Sequence, residues 1–385
     1  MAHCRASSEF VAVGARSKLF VFDAAQKLNR VIDLEELSKS ISFQSSGSCP
    51  SNPDKQVLGC AFSPSGQLFC VLTSAKLAFV FECRNDWMQH SSSPIRLPKA
   101  PTAVAFDSEE KHIVVSDRSG NVNRFELEKK EYPEGTKWQD INGEEHNIPL
   151  DPLLGHVSMV LDMSLSSDGQ YILTGDRDEK LRVARYPNAY VIEHFCLGHA
   201  SYVKSLQTSG NLVFTSGGDS TILVWDIESG EAIAQSERLD DSAVRYIRIS
   251  KSTHDNIISI AVALEKSETI TKIAYNTSTK IFENHSSVKV PDTVFDLCYS
   301  PNGQLFVVTK SGFGCSTESG EFSTIETFED FAESLKEACD PIDNLEKNVA
   351  FHNMEEYLQR KEQRIRKRKH DGDAEEQEEV SAKSS

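Results

Sequence analysis

Apolar residues recur along the chain in short runs separated by Gly, Pro, Asn, Asp and Ser. Leu68-Phe-Cys-Val-Leu72 and Leu305-Phe-Val-Val308 are continuously apolar. Such runs suit strands whose two sheet faces are both covered. Three polar punctuations read alike: Ser63-Pro-Ser-Gly-Gln-Leu-Phe69, Ser166-Ser-Asp-Gly-Gln-Tyr-Ile172 and Ser300-Pro-Asn-Gly-Gln-Leu-Phe306. Each follows a strand-like stretch, 58–62, 160–165 and 294–299, and precedes another. The pattern predicts hairpins with Gly66, Gly169 and Gly303 at turn positions needing positive φ.

Two segments begin with Gly-His, at Gly155-His156 and Gly198-His199, 43 residues apart. That spacing falls within the roughly 40 to 45 residue period of a WD repeat. One copy carries the full signature: Gly198-His199, then Phe214-Thr-Ser-Gly-Gly-Asp219, then Ile222-Leu-Val-Trp225-Asp226. Degenerate copies in phase place units at 10–22, 57–81, 102–125, 156–186, 199–226, 243–275 and 293–325, seven in all. A four-stranded blade cannot bury both faces alone, so the blades must stack in a ring. The fold class expected is all-β, a seven-bladed WD-repeat β-propeller with a C-terminal helical and basic tail. The short first unit is expected to complete the last blade and so remove an open sheet edge. Buried polar groups need partners, and a WD blade supplies them as a His, Ser/Thr, Asp and Trp network. Here those residues are His199, Ser216, Asp219 and Trp225. Blade four keeps His156, Thr174 and Asp178 but has Ala184 where the Trp would stand.

Composition narrows the chemistry. With 41 Lys and Arg against 58 Asp and Glu, the net charge is −17. Such a body is not expected to grip nucleic acid unaided, because phosphate binding rests on Lys and Arg. The nine cysteines are scattered with no C-x-x-C pair, as suits reduced thiols of the cytosol or nucleus. Cys60, Cys70, Cys83 and Cys298 lie in apolar runs and read as core residues. Residues 1–16 show no secretory pattern, so the sequons at Asn276 and Asn284 are expected to be chance matches. Gly312-Phe-Gly314 is a lone G-x-G, and G-x-S-x-G, H-E-x-x-H and Cys/His zinc spacings are missing. No catalytic residue, metal site or cofactor site of its own is therefore expected.

One turn departs from the repeat. Aligned on Asp178 and Asp219, blade four has Arg177 where blade five has Gly218, and Lys180 where it has Thr221. Asp176, Arg177, Asp178, Glu179 and Lys180 put dense mixed charge on a rigid scaffold. That reads either as a solvated turn or as a docking point, and Arg suits bidentate capture of a carboxylate. The stretch Leu173-Thr-Gly-Asp-Arg-Asp-Glu-Lys-Leu-Arg-Val183, with Leu154-Gly-His-Val-Ser-Met159 before it and His194-Phe-Cys-Leu-Gly-His199 after it, closely resembles the WD-repeat non-catalytic subunit of the eukaryotic tRNA (guanine-N7)-methyltransferase. The resemblance is strongest over residues 150–230 and weaker elsewhere. It implies a heterodimer with a separate S-adenosylmethionine-dependent catalytic subunit that methylates N7 of a variable-loop guanine in tRNA. This chain would then be a scaffold that does no chemistry and binds no cofactor, S-adenosylmethionine being held by the partner. By the resemblance, Arg177 and Lys180, with Asp176, Glu179 and Arg182 beside them, face that partner.

The repeat ends near residue 327. Residues 328–370 read as a helical extension with an apolar stripe (Phe351, Met354, Tyr357, Leu358) running into a basic cluster. The cluster comprises Arg360, Lys361, Arg364, Arg366, Lys367, Arg368 and Lys369. It is open to three readings: a nuclear localisation signal, a tRNA-backbone arm, or a charged helix end. Residues 371–385 are acidic and polar and are expected to be disordered. Residues 328–385 hold 16 acidic and 10 basic side chains, a net −6, which leaves −11 of the −17 on residues 1–327. A nuclear location, with a cytoplasmic pool allowed, follows from the first reading. The rival function is a WD adaptor or substrate receptor of another complex, such as a ubiquitin ligase. Trp225-Asp-Ile-Glu228 lacks the Arg of the Trp-Asp-x-Arg ending common in such receptors.

Overall fold

A computed structural model describes residues 2–39, 56–251, 256–316, 321–325 and 329–336, with Ala338 and Leu345. These fall in one compact unit, Met1–Glu346; a second, Lys347–Ser385, lies outside the described residues. The stripe at Phe351, Met354, Tyr357 and Leu358 and the basic cluster at 360–369 belong to that second unit.

Among the described residues the chain forms eight antiparallel sheets: seven are blades, and the eighth is a two-stranded ribbon, Trp138–Gln139 with Glu145–His146. The innermost strands of the blades are Ala2–Ala6, Val57–Phe62, Pro101–Phe106, Val160–Leu165, Val203–Ser209, Val244–Lys251 and Val294–Tyr299. Each neighbours the next, and the last neighbours the first, so the blades form a closed ring around an axial channel. Gly66, Gly169 and Gly303 adopt φ of 70°, 70° and 84°, as the turn pattern requires. The serine opening each of these turns closes it with its own side chain: Ser63, Ser166 and Ser300 Oγ accept from the backbone N–H of Leu68, Tyr171 and Gln304 at 3.1, 2.9 and 3.2 Å. Cys60, Cys70, Cys83 and Cys298 are buried, as expected of core thiols.

The ring closes differently from the expectation. The first unit does not complete the last blade. Strands Ala2–Ala6, Phe10–Ala15, Lys18–Asp23 and Leu28–Asp33 form a full four-stranded blade of their own, and Phe322–Thr324 completes blade seven. Blades seven and one meet face to face through Val13, Phe20, Phe22, Phe306, Val308 and Phe313. The short helix Glu329–Lys336 then covers this seam. Phe331 packs edge-on against Phe20 with ring centroids 4.8 Å apart. Phe331 and Leu335 are fully buried, a contribution of about 1.5–3 kcal/mol each. A helix wedge thus does the work that strand exchange would otherwise do.

Polar bridges also tie the inner strands together. Asp162 of blade four accepts from Leu206 N of blade five at 2.9 Å. Ser205 of blade five accepts from Ile247 N of blade six at 3.1 Å. Asp296 of blade seven accepts from Cys4 N of blade one at 3.2 Å and binds Arg5 and Arg248 at 2.8 and 2.9 Å. The two guanidiniums and His3 hold the Asp296 carboxyl well below the usual range against the opposing effect of burial.

Candidate docking site on blade four

Blade four comprises Val160–Leu165, Tyr171–Asp176, Lys180–Arg185 and Ile192–Leu197. Its turn is organised by Asp176, which is fully buried. One carboxylate oxygen accepts from the N–H groups of Asp178 and Lys180 at 2.9 and 3.0 Å. The other accepts from His156 Nδ1 at 3.0 Å, and His156 Nε2 accepts from Thr174 Oγ1 at 2.8 Å. Burial pushes the Asp176 carboxyl up, but the His156 hydrogen bond and the Lys180 charge outweigh it and the group titrates below its usual range. Burial is the main cause that pushes the His156 imidazole down, so it sits neutral and can both donate and accept.

The structure therefore corrects the expected network in two places. In blade four the carboxylate that pairs with the histidine is Asp176; Asp178 lies in the turn and donates its N–H to Asp176. In blade five the hydroxyl is Thr215, not Ser216. Trp225 Nε1 donates to Thr215 Oγ1, Thr215 pairs with His199 Nε2, and His199 Nδ1 pairs with Asp219, each at 2.8 Å. Ser216 instead donates to the Thr221 carbonyl at 2.6 Å. The reason is strand alternation: side chains two apart share a face. Thr174 and Asp176 lie on one face of their strand, and Thr215 on the matching face of its own, whereas Ser216 points to the other.

Of the residues expected to face a partner, Asp176, Glu179 and Arg182 are buried rather than displayed. Glu179 takes a left-handed φ of 69° at the turn. Arg182 donates to the Gly155 carbonyl at 2.9 Å and lies 5.5 Å over the Phe195 ring. Arg177 and Lys180 are partly exposed. Arg177 N donates to Met159 O at 3.0 Å, and its Nε donates to the Leu345 carbonyl at 3.0 Å. Lys180 Nζ reaches the Asp178 carbonyl at 3.1 Å and the Asp176 carboxylate at 3.6 Å. Leu345 itself is buried with Leu161 and Tyr202.

Two apolar members of this rim escaped the sequence reading. Val157 stands fully exposed directly after His156, and Phe195 is half-exposed opposite Arg182 on the outer strand. The signal for Phe195 was its outward register in a strand that also carries exposed Ile192. The result is a rim on which cationic and aromatic side chains stand on a hydrogen-bonded turn.

Elsewhere, Asp140, Glu144 and His146 gather on the excursion between the third and fourth strands of blade three. Asp140 holds its own turn, accepting from Asn142 and Glu144 N at 2.9 Å, and Glu144 pairs with Lys99 at 2.9 Å. Among the described residues no helix is long and apolar enough to cross a membrane.

Comparison with known proteins places this geometry. A chain in the crystal structure of the mitotic checkpoint complex superposes with a TM-score of 0.62 over 84% of this chain and 90% of its own, at 15% identity. That likeness fixes the propeller fold alone. Curated relatives named as tRNA (guanine-N(7)-)-methyltransferase non-catalytic subunits include one from Caenorhabditis elegans, 32% identical over 69% of this chain and 63% of its own length. A Homo sapiens relative, WDR4, is 31% identical over 60% of this chain and 50% of its own, and one from Culex quinquefasciatus is 28% identical over 77% and 73%. The chain spans 63% of the worm relative and 43% of the Xenopus laevis one. The profile of the family described as tRNA methyltransferase TRM82 WD40 domain matches residues 123–324. That span contains the whole blade-four turn and more than half of the chain, and the chain belongs to this family.

Proposed function

We propose that this chain is the non-catalytic subunit of a tRNA (guanine-N7)-methyltransferase. It would bind and stabilise a separate S-adenosylmethionine-dependent catalytic subunit as a heterodimer, and so support methylation of a variable-loop guanine. The observation that carries the reading is the blade-four turn. Arg177 and Lys180 stand on a turn that the buried Asp176 orders by accepting from the N–H groups of Asp178 and Lys180, and Val157 and Phe195 add exposed apolar surface to the blade. A cation on a pre-ordered turn loses little conformational entropy when it pairs with a partner's carboxylate. The printed names of the relatives support the assignment to the complex. The acidic propeller body leaves tRNA-backbone contact to the basic cluster Arg360, Lys361, Arg364, Arg366, Lys367, Arg368 and Lys369, which also reads as a nuclear import signal.

The test is co-purification of this chain with the candidate catalytic subunit, followed by tRNA methylation, for wild type and Arg177→Glu. Wild type should bind and restore activity, and the folded variant should lose both. Binding by neither overturns the assignment to the complex, whereas equal binding by both moves the dock off blade four. Leu345→Ala removes the apolar anchor of the segment whose main-chain carbonyl accepts from Arg177 Nε; it should leave binding intact if the guanidinium itself meets the partner.

A further inference from the structure

Blades six and seven meet over only part of their facing surfaces. The strands of blade six, Val244–Lys251, Ile257–Leu264, Thr269–Asn276 and Ile281–Lys289, run to 8, 8, 8 and 9 residues. Those of blade seven, Val294–Tyr299, Leu305–Thr309, Phe313–Ser316 and Phe322–Thr324, run to 6, 5, 4 and 3. Ala261, Ala263, Ile270, Leu297, Leu305 and Val307 form an apolar seam between the two blades. Side chains two apart along a strand share a face. Ser259 therefore continues the face of Ala261 and Ala263, and Lys272 and Ala274 continue that of Ile270. There the seam gives way to a cleft of about 610 Å³, lined by these three residues and, from blade seven, by Tyr299, Gln304 and Ser316. The neighbouring seam between blades five and six is instead filled by the rings of Phe214, Tyr275 and Phe282.

The cleft has the dimensions of one extended chain. Ser250 pairs with Ser259, and Ser259 with Ala274, whose partner Glu283 precedes Asn284 on the outermost strand. Ser250, Ser259, Ala274 and Asn284 all line the cleft, so it crosses the four strands of blade six. Four strands about 4.8 Å apart span about 14 Å, the length of about four extended residues. The pairing of the outer two strands shifts between Lys272 and Ala274, and Asn284 takes a φ of 53° in that bulge. A bulge re-aims the side chain it carries, and Asn284 joins the lining there.

Its chemistry is a single cation among neutral groups. Among the lining residues Lys272 is the one charged side chain. The lining thus carries +1 in a chain whose net charge is −17. Lys272 Nζ donates to Ser316 Oγ at 2.7 Å, and among the described residues no carboxylate pairs with it. Burial pushes its ammonium below the usual range with no anion to oppose it. An ammonium has three donors, so Lys272 keeps capacity for a ligand. Around it Ser259, Asn284 and Ser286 are exposed, and Gln304 is half-buried. Their hydroxyls and amides both donate and accept, as the alternating N–H and C=O groups of a peptide require.

We infer that the cleft between blades six and seven docks an extended acidic peptide segment of a partner, one carboxylate of which pairs with Lys272. One net positive charge matches one carboxylate, whereas a phosphate of charge near −2 would leave part of its charge unmet in the cleft. The row of hydroxyls and amides meets the peptide main chain. A cleft of this volume over that length is too narrow for a helix, whose diameter is about 10–12 Å. The site uses none of the blade-four residues, so it adds a second interface to the scaffold.

The test uses the full chain and an array of N-acetylated, C-amidated pentapeptides. Each is centred on Glu and paired with the same peptide centred on Gln. Peptides that bind are then titrated by calorimetry. Some Glu peptides should bind saturably, with one site per chain. Their Gln partners should bind about tenfold more weakly or not at all, the loss of one charge-assisted hydrogen bond. Lys272→Met should show the same loss and Lys272→Arg should recover most of it, with thermal melts showing that both fold. Ser259→Trp, which fills the cleft from an exposed position, should block binding with Lys272 intact. An array without binders, Glu and Gln peptides that bind alike, or wild-type affinity in Lys272→Met each overturns the proposal. Displacement of a bound peptide by free glutamate at equal concentration also overturns it, because the occupant would then be a small acid.

Discussion

Blades four and five are built on one plan and put it to different ends. Both hang a buried His between a Thr hydroxyl and a carboxylate. Blade five completes the chain with the Trp225 indole and packs its turn so tightly that glycine is required. A Cβ at Gly217 would lie 1.8 Å from the Tyr202 carbonyl oxygen, and one at Gly218 would lie 2.3 Å from Ser201 Oγ. Blade four has Ala184 in place of the indole, with Asp176 and Arg177 where those glycines stand. Its carboxylate comes from the strand end, which frees the turn to carry Arg177, Glu179 and Lys180. The repeat has exchanged a sealed turn for a charged one while keeping its internal hydrogen bonds. Under the proposed function, what changes between repeats, more than what they share, marks the docking surface.

The largest effect that separates the two blades should come from Trp225→Ala. It removes a buried indole and leaves Thr215 without its donor, so urea denaturation should show a loss of about 3–5 kcal/mol. Blade four lives without that side chain, so filling the matching position with Ala184→Trp should not restore the loss. Next comes Gly217→Ala, which drives a methyl group into backbone and should cost about 1–3 kcal/mol by the same measurement. A tolerated alanine there would mean that the blade-five turn is not tight, and the contrast with Asp176 would collapse.

The third test uses pH. The folded-state pKa of His156 is depressed, so between that value and the unfolded value near 6.5 the unfolded chain binds more protons. Stability from this group is full above the unfolded pKa and is lost as pH falls through the window down to the folded value. Asp176, also depressed, adds a second loss lower down, beginning near the unfolded carboxyl pKa of about 3.9. The urea midpoint of wild type should therefore fall between pH 7 and 5, and more steeply than that of His156→Gln. Parallel slopes for the two proteins would sink the reading. Smallest of all is the stability effect of Arg177→Glu, about 1 kcal/mol or less, because the side chain is partly exposed on a turn. Circular dichroism melts of wild type and variant should nearly superimpose even where binding is abolished.

The repeat number, the hairpin turns and the anomalous blade-four segment were legible because each depends on residues adjacent in the chain. Gly66, Gly169 and Gly303 sit in their turns through local backbone sterics alone. The hydrogen-bond partners were less legible. Thr215 and Ser216 are neighbours with similar hydroxyls, and only the pairing of their strand decides which one meets His199. Asp176 and Asp178 pose the same ambiguity, and burial of the strand end resolved it toward Asp176. Phe195 and Val157 were missed because exposure belongs to the assembled blade and not to residue type.

By itself the sequence determined that this chain is a seven-bladed propeller and which repeat departs from the rest, since turn chemistry and strand periodicity are local. Tertiary structure alone decided how the ring closes. Whether Ala2–Ala6 starts its own blade or completes another, and whether Phe331 wedges the seam, depends on contacts between segments about 300 residues apart. The polar lining of the axial channel was decided in the same way. Arg5, Arg118, Asp162, Lys204, Arg248 and Asp296 are scattered through an acidic chain, and only closure of the ring brings them together.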